Sequence, residues 1–200
     1  MNMDQELHEQ LRRLTSLTAA DLGDAMERLG VVDSRIRTIW PGAHLVGRAV
    51  TVWPRAGDNL FVHQALELLE PGDVVVVNGQ ADEMRALVGE RMAKKAQDLG
   101  GRGFVIDGAV RDVAGLRDLG VPVYARAVTP AGPYKYGPGK INVPIAVGGV
   151  VVHPGDVVVG DDDGVVVVPR DQVNEVIERA EVTVAADQEL TKTYPPISSR

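Results

Sequence analysis

A run of four consecutive valines, residues 74–77, limits the folds open to this chain more than any other feature. An uninterrupted apolar run of this length is typical of a strand covered on both faces. Residues 104–106 and 121–125 have the same character. Between the first two runs, apolar residues recur at helical spacing, which predicts a helix over 82–99 that ends at Gly100. Strands that alternate with helices in this way predict a parallel α/β layer.

The segment before this layer is predicted to be helical. An amphipathic N-terminal helix is indicated by the helical spacing of Leu7, Leu11, Leu14 and Leu17. Thr18 and Asp21 have the spacing of a capping box, in which each side chain accepts a hydrogen bond from the other residue's backbone N–H. A second helix should therefore begin here and end at Gly30.

The C-terminal half predicts a different arrangement, of hairpins followed by a helix. Three valine-rich segments, 150–152, 157–159 and 165–168, are separated by turn-forming residues, which favours antiparallel strands. Residues 173–184 carry apolar side chains at helical spacing and predict a closing helix. The tail after Thr191 is expected to be mobile.

Composition and charge exclude several classes of protein. The chain has 200 residues, no cysteine and a formal net charge of −7. The lack of cysteine excludes disulfides, thiolate metal sites and a cysteine nucleophile. The acidic balance argues against a nucleic-acid partner, because neutralising phosphates needs concentrated lysine and arginine. The polar N-terminus does not resemble a signal peptide and no apolar run is long enough to span a membrane, so we expect a cytoplasmic protein.

An adjacent cation and anion, Arg111 and Asp112, follow the predicted strand at 104–106 and a predicted turn at Asp107-Gly108. Arginine is suited to bidentate capture of a carboxylate, and aspartate is a hard oxygen ligand for Mg²⁺ or Mn²⁺. The pair therefore suggests a site that holds an anionic substrate and a divalent metal together. A surface ion pair or a helix-capping aspartate is the commoner explanation of such a pair.

Two further acidic residues are candidates for the same site. Glu90 is separated from Arg111 by one predicted helix and one predicted strand, although an exposed helical glutamate is its default interpretation. Asp24 lies near the start of the second predicted helix, where a negative charge is favourable for the helix alone. No Gly-x-Gly-x-x-Gly, phosphate-binding loop, His-Glu-x-x-His or Gly-x-Ser-x-Gly motif is present, and no lysine lies in an apolar strand.

The order of short motifs along the chain resembles that of the RraA-like family. The motifs that carry this resemblance, between about Thr18 and Ala186, are Gly57-Asp58-Asn59, Pro71-Gly72-Asp73-Val74, Gly89-Glu90, the segment from Val105 to Asp112, Pro122-Val123, Asn142-Val143-Pro144, Gly148-Gly149-Val150 and Asp161-x-Asp163-Gly164-Val165. The family includes the metal-dependent 4-hydroxy-4-methyl-2-oxoglutarate / 4-carboxy-4-hydroxy-2-oxoadipate aldolases. The aldolase signature is an acidic residue, twenty intervening residues and Arg-Asp, which Glu90 and Arg111-Asp112 match, although that acidic residue is usually Asp.

The resemblance implies a role for each of these residues. Asp112 would hold a divalent metal, Mg²⁺ or Mn²⁺, largely through waters, and Arg111 would bind the substrate and the pyruvate enolate oxygen. Glu90 would orient metal-bound water.

Four more positions follow from the same resemblance. Gly89 and the segment after it would bind the substrate, with the backbone N–H groups of Arg91 and Met92 facing the pyruvate carboxylate. Asp24 matches a position at which aldolases carry a glutamate contributed by a neighbouring subunit.

The resemblance also implies a fold, an assembly and an activity. The expected fold is an α/β swivelling β/β/α domain with N- and C-terminal helices, formed by residues 1–200 as one domain with its core at about 18–186. The expected assembly is a homotrimer or a hexamer. The expected activity is cleavage of 4-hydroxy-2-oxo acids to pyruvate, with oxaloacetate decarboxylation. The alternative is a regulator that binds a ribonuclease or another protein; because such regulators typically lack the aspartate of Arg-Asp, Asp112 favours an enzyme.

Overall fold

The computed structural model describes residues 3–193, as strands and helices around one large sheet. In chain order the elements are α1 (Met3–Leu14), α2 (Ala19–Ala25), β1 (Arg37–Thr38), β2 (Leu45–Pro54), α3 (Leu60–Leu66), β3 (Asp73–Val88), α4 (Glu90–Asp98), β4 (Gly103–Val110), α5 (Val113–Asp118), β5 (Val123–Val128), β6 (Gly139–Ile141), β7 (Ile145–Val147), β8 (Val150–Val152), β9 (Val157–Asp161), β10 (Gly164–Val168) and α6 (Val173–Thr193).

The large sheet contains the parallel layer that the sequence predicts. Its strand order is β1-β5-β4-β3-β2-β9-β10, with β6 paired to β2 beyond this path. The pairs β2/β3, β3/β4 and β4/β5 are parallel, and helices α3, α4 and α5 connect these strands in turn. The mixed α/β fold with a helix at each end of the described chain is confirmed.

The valine run lies at the centre of this sheet and is buried on both faces. Val75 and Val77 pack in a core cluster with Phe104, on the face covered by α3 and α4. Val74 and Val76 point the opposite way and pack with residues that include Tyr124. Successive side chains of a strand alternate between its two faces, so an uninterrupted apolar run requires cover on both.

The predicted helix over 82–99 is wrong in its first half. Strand β3 continues to Val88, and the helix begins only at Glu90. Gln80 and Ala81 have left-handed backbone conformations, with φ of 59° and 55°, and the pairing of β3 with β4 shifts register after them. Met84 is 76% exposed on this irregular stretch. The helical spacing between Met84 and later apolar residues therefore does not mark the face of a helix.

The predicted turn at Asp107-Gly108 is also wrong, because both residues lie within β4. The carboxylate of Asp107 is buried and accepts hydrogen bonds from Arg126 Nε at 2.6 Å and from the Gly148 N–H at 2.8 Å. A charged residue can continue a buried strand when its charge is paired and its oxygens accept hydrogen bonds. Strand β4 therefore extends two residues past Gly108 and ends at Val110, directly before Arg111.

The terminal helices pack together and cover strands β9 and β10. Helix α2 begins with the predicted capping box, in which Thr18 Oγ1 accepts the Asp21 N–H at 3.1 Å and Asp21 Oδ2 accepts the Thr18 N–H at 2.9 Å. It ends at Ala25, earlier than predicted. Helix α1 contacts α6 through the ion pair of Arg13 with Glu181.

The antiparallel strands of the C-terminal half are confirmed, with one change of partner. Strands β9 and β10 form a hairpin, and β9 extends the large sheet by pairing antiparallel with β2. The segment 150–152 instead pairs with β7. The predicted mobile tail falls, apart from its first two residues, outside the described residues. Within residues 3–193 no helix has both the length and the apolar content needed to cross a membrane.

Candidate active site

The candidate site lies where two neighbouring parallel strands end. Val88 at the end of β3 is opposite Val110 at the end of β4, and the Arg111 N–H donates to the Val88 carbonyl at 3.0 Å. The carboxyl ends of parallel strands lie at the same edge of a sheet, so residues 89–90 and 111–112 meet there despite their separation in sequence. We call Gly89, Glu90, Arg111 and Asp112 the strand-end cluster.

Asp112 is bound from both sides of this cluster. Its Oδ2 atom accepts the Glu90 N–H at 3.2 Å and is 3.5 Å from Arg111 Nε. The Arg111 and Asp112 side chains are 44% and 42% exposed, so both remain accessible to a ligand. Asp112 occupies the N-cap position of α5 but makes no side-chain capping bond to that helix. Its carboxylate reaches back to α4, so it is not the cap of the helix that follows it.

Gly89 gives the two side chains the room they occupy. A Cβ atom at this position would be 2.5 Å from Asp112 Oδ2 and 3.0 Å from Arg111 Cγ. The backbone of Gly89 is extended, with φ of −148°, a conformation that any residue adopts. Glycine is therefore required here by space, because a side chain would displace the cluster.

The start of α4 has one backbone donor without an acceptor among the described residues. The Met92 N–H donates to the Gly89 carbonyl at 3.1 Å, and the Glu90 N–H is bound to Asp112. The described residues provide no acceptor for the Arg91 N–H. Of the pair of N–H groups predicted to face an anion, only that of Arg91 is available. A free N–H in the first turn of a helix favours a negatively charged ligand.

A loop that follows β5 closes over one side of Arg111, and sequence analysis did not identify its role. A Cβ atom at Gly132 would be 3.3 Å from Arg111 Nη1. Arg85 fixes this loop: its guanidinium donates to the Gly132 carbonyl at 3.3 Å and to Tyr134 Oη at 2.8 Å. The same guanidinium lies 4.1 Å from the centre of the Tyr134 ring. Only the fold brings Arg85 to this loop.

The motif Gly57-Asp58-Asn59 supports the strand that leads into the cluster. Asn59 is 3% exposed, and its Nδ2 donates to the Leu87 carbonyl at 2.9 Å, two residues before Gly89. Its Oδ1 is buried without a hydrogen-bond partner. The motif predicts a turn, but a local pattern does not identify Leu87, 28 residues later, as the partner of Asn59.

Asp58 binds the backbone of the loop after β5. Its Oδ2 accepts the N–H groups of Tyr136 at 2.7 Å and Gly137 at 2.9 Å, and its Oδ1 accepts that of Leu60 at 3.0 Å. Burial acts to raise the pKa of Asp58, but these three donors outweigh it and hold the pKa below its usual value. The carboxylate is therefore ionised at neutral pH.

Replacing Asp58 with asparagine should destabilise the protein by about 1–3 kcal/mol at pH 7, because an amide NH₂ would face backbone donors. A carboxyl with a lowered pKa contributes stability above its unfolded pKa and loses it as the pH falls through the folded pKa. Urea unfolding of both proteins should thus show a difference in the free energy of unfolding that is constant from pH 7 to about pH 5 and becomes smaller in stronger acid. A difference that widens in acid would contradict this assignment.

Asp24 lies away from the strand-end cluster in the described chain. It belongs to α2, which packs against β10 and α6, and its exposed carboxylate is 3.0 Å from Arg28 Nη2. No hydrogen bond or ion pair among the described residues joins it to Glu90, Arg111 or Asp112. Its predicted contribution from a neighbouring subunit stays a prediction.

The cluster suits a metal that is bound mainly by water. In residues 3–193 no group of three or more His, Asp or Glu side chains is arranged around a common metal position. Asp112 Oδ1 makes no hydrogen bond within the described chain, so one carboxylate oxygen is free to bind a cation. Mg²⁺ keeps several waters and binds through one or two carboxylates plus substrate oxygens, which fits this donor set.

Residues 19–167 match the sequence profile of the RraA-like family, described as Aldolase/RraA. This range contains the strand-end cluster and all of the large sheet except the last residue of β10. The chain belongs to the RraA-like family.

Relatives in the RraA-like family have names of two kinds. A protein of Halalkalibacterium halodurans, provisionally named a 4-hydroxy-4-methyl-2-oxoglutarate aldolase, is 38% identical over 93% of this chain and 89% of its own length. A 4-hydroxy-4-methyl-2-oxoglutarate aldolase of Thermus thermophilus is 38% identical over 56% of this chain and 69% of its own. The structure of Streptomyces coelicolor RraAS2, described as an unusual member of the RNase ES inhibitor RraA protein family, is 32% identical with a TM-score of 0.81, covering 90% of this chain and 94% of that one.

Proposed function

We propose that this protein is a divalent-metal-dependent pyruvate aldolase that cleaves 4-hydroxy-2-oxo acids such as 4-hydroxy-4-methyl-2-oxoglutarate and also decarboxylates oxaloacetate. The observation that carries the proposal is the meeting of the Arg111 guanidinium and the Asp112 carboxylate at one strand edge, beside a free helix N–H. The names of the two aldolase relatives support the same class of reaction.

The 2-oxo acid end of the substrate has two partners among the residues of this arrangement. Its carboxylate lies against the Arg91 N–H at the start of α4, where the helix dipole favours negative charge. The C2 ketone oxygen accepts from the Arg111 guanidinium, whose planar donors suit an oxyanion.

A divalent cation such as Mg²⁺ or Mn²⁺, when bound at Asp112, supplies Lewis-acid polarisation of the oxo acid. Arg111 acts on the charge that develops during the reaction. As the C3–C4 bond breaks, its electron pair moves into the C2–C3 bond and negative charge develops on the C2 oxygen. The guanidinium is already in place for that charge and needs no rearrangement. Oxaloacetate develops the same charge when it loses CO₂, so one site supports both reactions.

Glu90 is the carboxylate that we assign to proton transfer. Its backbone N–H is fixed by Asp112, and its side chain leaves the same turn of α4. Through a water molecule that its carboxylate orients, it takes the proton of the C4 hydroxyl during aldol cleavage and returns a proton to C3 of the pyruvate enolate. Asp24 of a neighbouring copy completes the site in a homotrimer or hexamer, which would explain why one chain leaves it remote from the cluster.

A regulator without catalysis is the competing proposal, and the solved RraAS2 structure favours it by its description. Such a protein needs a partner and no metal. Capture of a specific ribonuclease by this chain, together with no metal-dependent turnover of any 2-oxo acid, would establish the regulator instead.

The decisive experiment is pyruvate release from oxaloacetate and from 4-hydroxy-4-methyl-2-oxoglutarate, each with added Mg²⁺ or Mn²⁺ and with a chelator. We expect turnover with either metal and a loss of at least about a hundredfold with chelator, because without the cation the Asp112 carboxylate repels the anionic substrate and its enolate. Restoring excess metal should restore the rate. Equal rates with metal and with chelator, above the uncatalysed rate, would reject a metal-dependent enzyme.

A further inference from the structure

The Glu90 side chain crosses from α4 to α5 and lies directly against Gly115. A Cβ atom at position 115 would be 2.5 Å from Glu90 Cδ and 2.9 Å from Glu90 Cγ. Non-bonded carbon atoms in proteins approach to about 3.5–4.0 Å. Any side chain at position 115 would therefore force the Glu90 carboxylate to move.

Nothing in the backbone of Gly115 requires glycine. The residue lies inside α5 and is not among the glycines with positive φ. Glycine in a helix is less favourable than alanine, because it loses more conformational freedom on folding. The one close neighbour of a Cβ at position 115 is the exposed Glu90 side chain, which would have to change its conformation.

We infer that Gly115 is a positioning residue for Glu90: the missing side chain leaves the space that holds the Glu90 carboxylate against the first turn of α5, the helix that follows Asp112. The catalytic part of this inference rests on the proposed function. The packing part rests only on the contact between the two residues.

Glu90 contacts the segment 112–115 at both of its ends. Its N–H is bound to Asp112 and its carboxylate packs on Gly115, three residues later. Helices α4 and α5 also share the hydrogen bond from Gln97 Nε2 to the Leu119 carbonyl at 3.2 Å. These contacts place the group assigned to proton transfer beside the helix that directly follows the group assigned to the metal.

The activity test is the variant Gly115→Ala. We expect kcat for oxaloacetate decarboxylation to fall about tenfold, because a displacement of about 1 Å is costly to catalysis. KM should stay within about twofold, since Arg111 and the Arg91 N–H do not contact Gly115. Adding Glu90→Asp to Gly115→Ala should recover part of kcat, because the shorter side chain avoids most of the new methyl group. Ala114→Gly, an exposed neighbour that changes the helix propensity of the same turn, should leave kcat unchanged.

The packing test compares the same substitution in two backgrounds. In a Glu90→Ala protein, Gly115→Ala should raise Tm by about 2 °C, the normal gain of alanine over glycine in a helix. In the wild type it should give no gain or a loss. A full gain in both backgrounds, or an unchanged kcat in an active enzyme, would overturn the inference. Inactivity of the wild type contradicts the proposed function alone, and the Tm comparison then still decides whether Gly115 and Glu90 are coupled.

Discussion

Replacing Asp112 with asparagine is expected to lower kcat/KM for metal-dependent pyruvate release by about 10³, since the carboxylate charge that holds the cation is removed. The rest of the local structure should survive. Asp112 has a left-handed backbone conformation, with φ of 62°, which asparagine tolerates as well as aspartate does. The amide oxygen can still accept the Glu90 N–H. The loss should therefore appear in activity and in the metal concentration for half-maximal rate, with Tm nearly unchanged.

Asp118→Asn is a matched control for this substitution. Asp118 is exposed at the other end of α5 and pairs with Arg117, so its replacement makes the same chemical change in the same short helix. Its activity and metal dependence should equal those of the wild type. An Asp112→Asn protein that keeps full activity with Mg²⁺, or that loses it to the same extent as Asp118→Asn, would exclude Asp112 as the metal-binding residue.

The parallel layer was predictable because its signal is local. Few arrangements other than a strand covered on both sides bury a run of valines on two faces. The alternation of strands with helices then gives the order of β3, β4 and β5 in the sheet. The meeting of Glu90 with Arg111-Asp112 follows from the same order, since both segments begin where neighbouring parallel strands end. Their contact was thus accessible from the sequence, given only the correct strand order.

The errors arose where local spacing fits two structures. Met84 and Val88 are four residues apart, which fits a helix face, but they lie on an irregular strand. No sequence pattern predicts the left-handed conformations of Gln80 and Ala81 in that strand. Asp107, followed by Gly108, similarly predicts a turn from local sequence alone. Its pairing with Arg126, nineteen residues later, instead allows it to lie in a buried strand. In both cases a tertiary contact decides the local structure.

The glycines of the site could not be assigned from sequence at all. A Cβ atom at Gly89 or Gly115 would lie within 3.0 Å of a side chain from another segment, and one at Gly132 would be 3.3 Å from Arg111 Nη1. Sequence shows a glycine but not the neighbour that excludes a side chain. The contact of Arg85 with Tyr134 is of the same kind, since forty-eight residues separate the two along the chain.

Replacing Arg111 with lysine should lower kcat for oxaloacetate decarboxylation by about 10², or roughly 3 kcal/mol of transition-state stabilisation. Lysine keeps the positive charge, but it has no donor at the Nε position, 3.5 Å from Asp112 Oδ2, and only one nitrogen to offer. The charge that develops on the C2 oxygen would then meet a mobile point charge in place of a planar donor pair. KM should rise much less than kcat falls, because the Arg91 N–H and the cation still bind the ground-state carboxylate.

Arg117→Lys separates this effect from a general response of α5 to the loss of a guanidinium. Arg117 is exposed in that helix and pairs only with its neighbour Asp118 among the described residues, so its replacement should leave both kcat and KM unchanged. If Arg111→Lys raised KM and left kcat intact, Arg111 would bind the substrate equally in its ground and transition states. Catalysis would then depend on the cation and Glu90, and the role assigned here to the guanidinium would have to be given up.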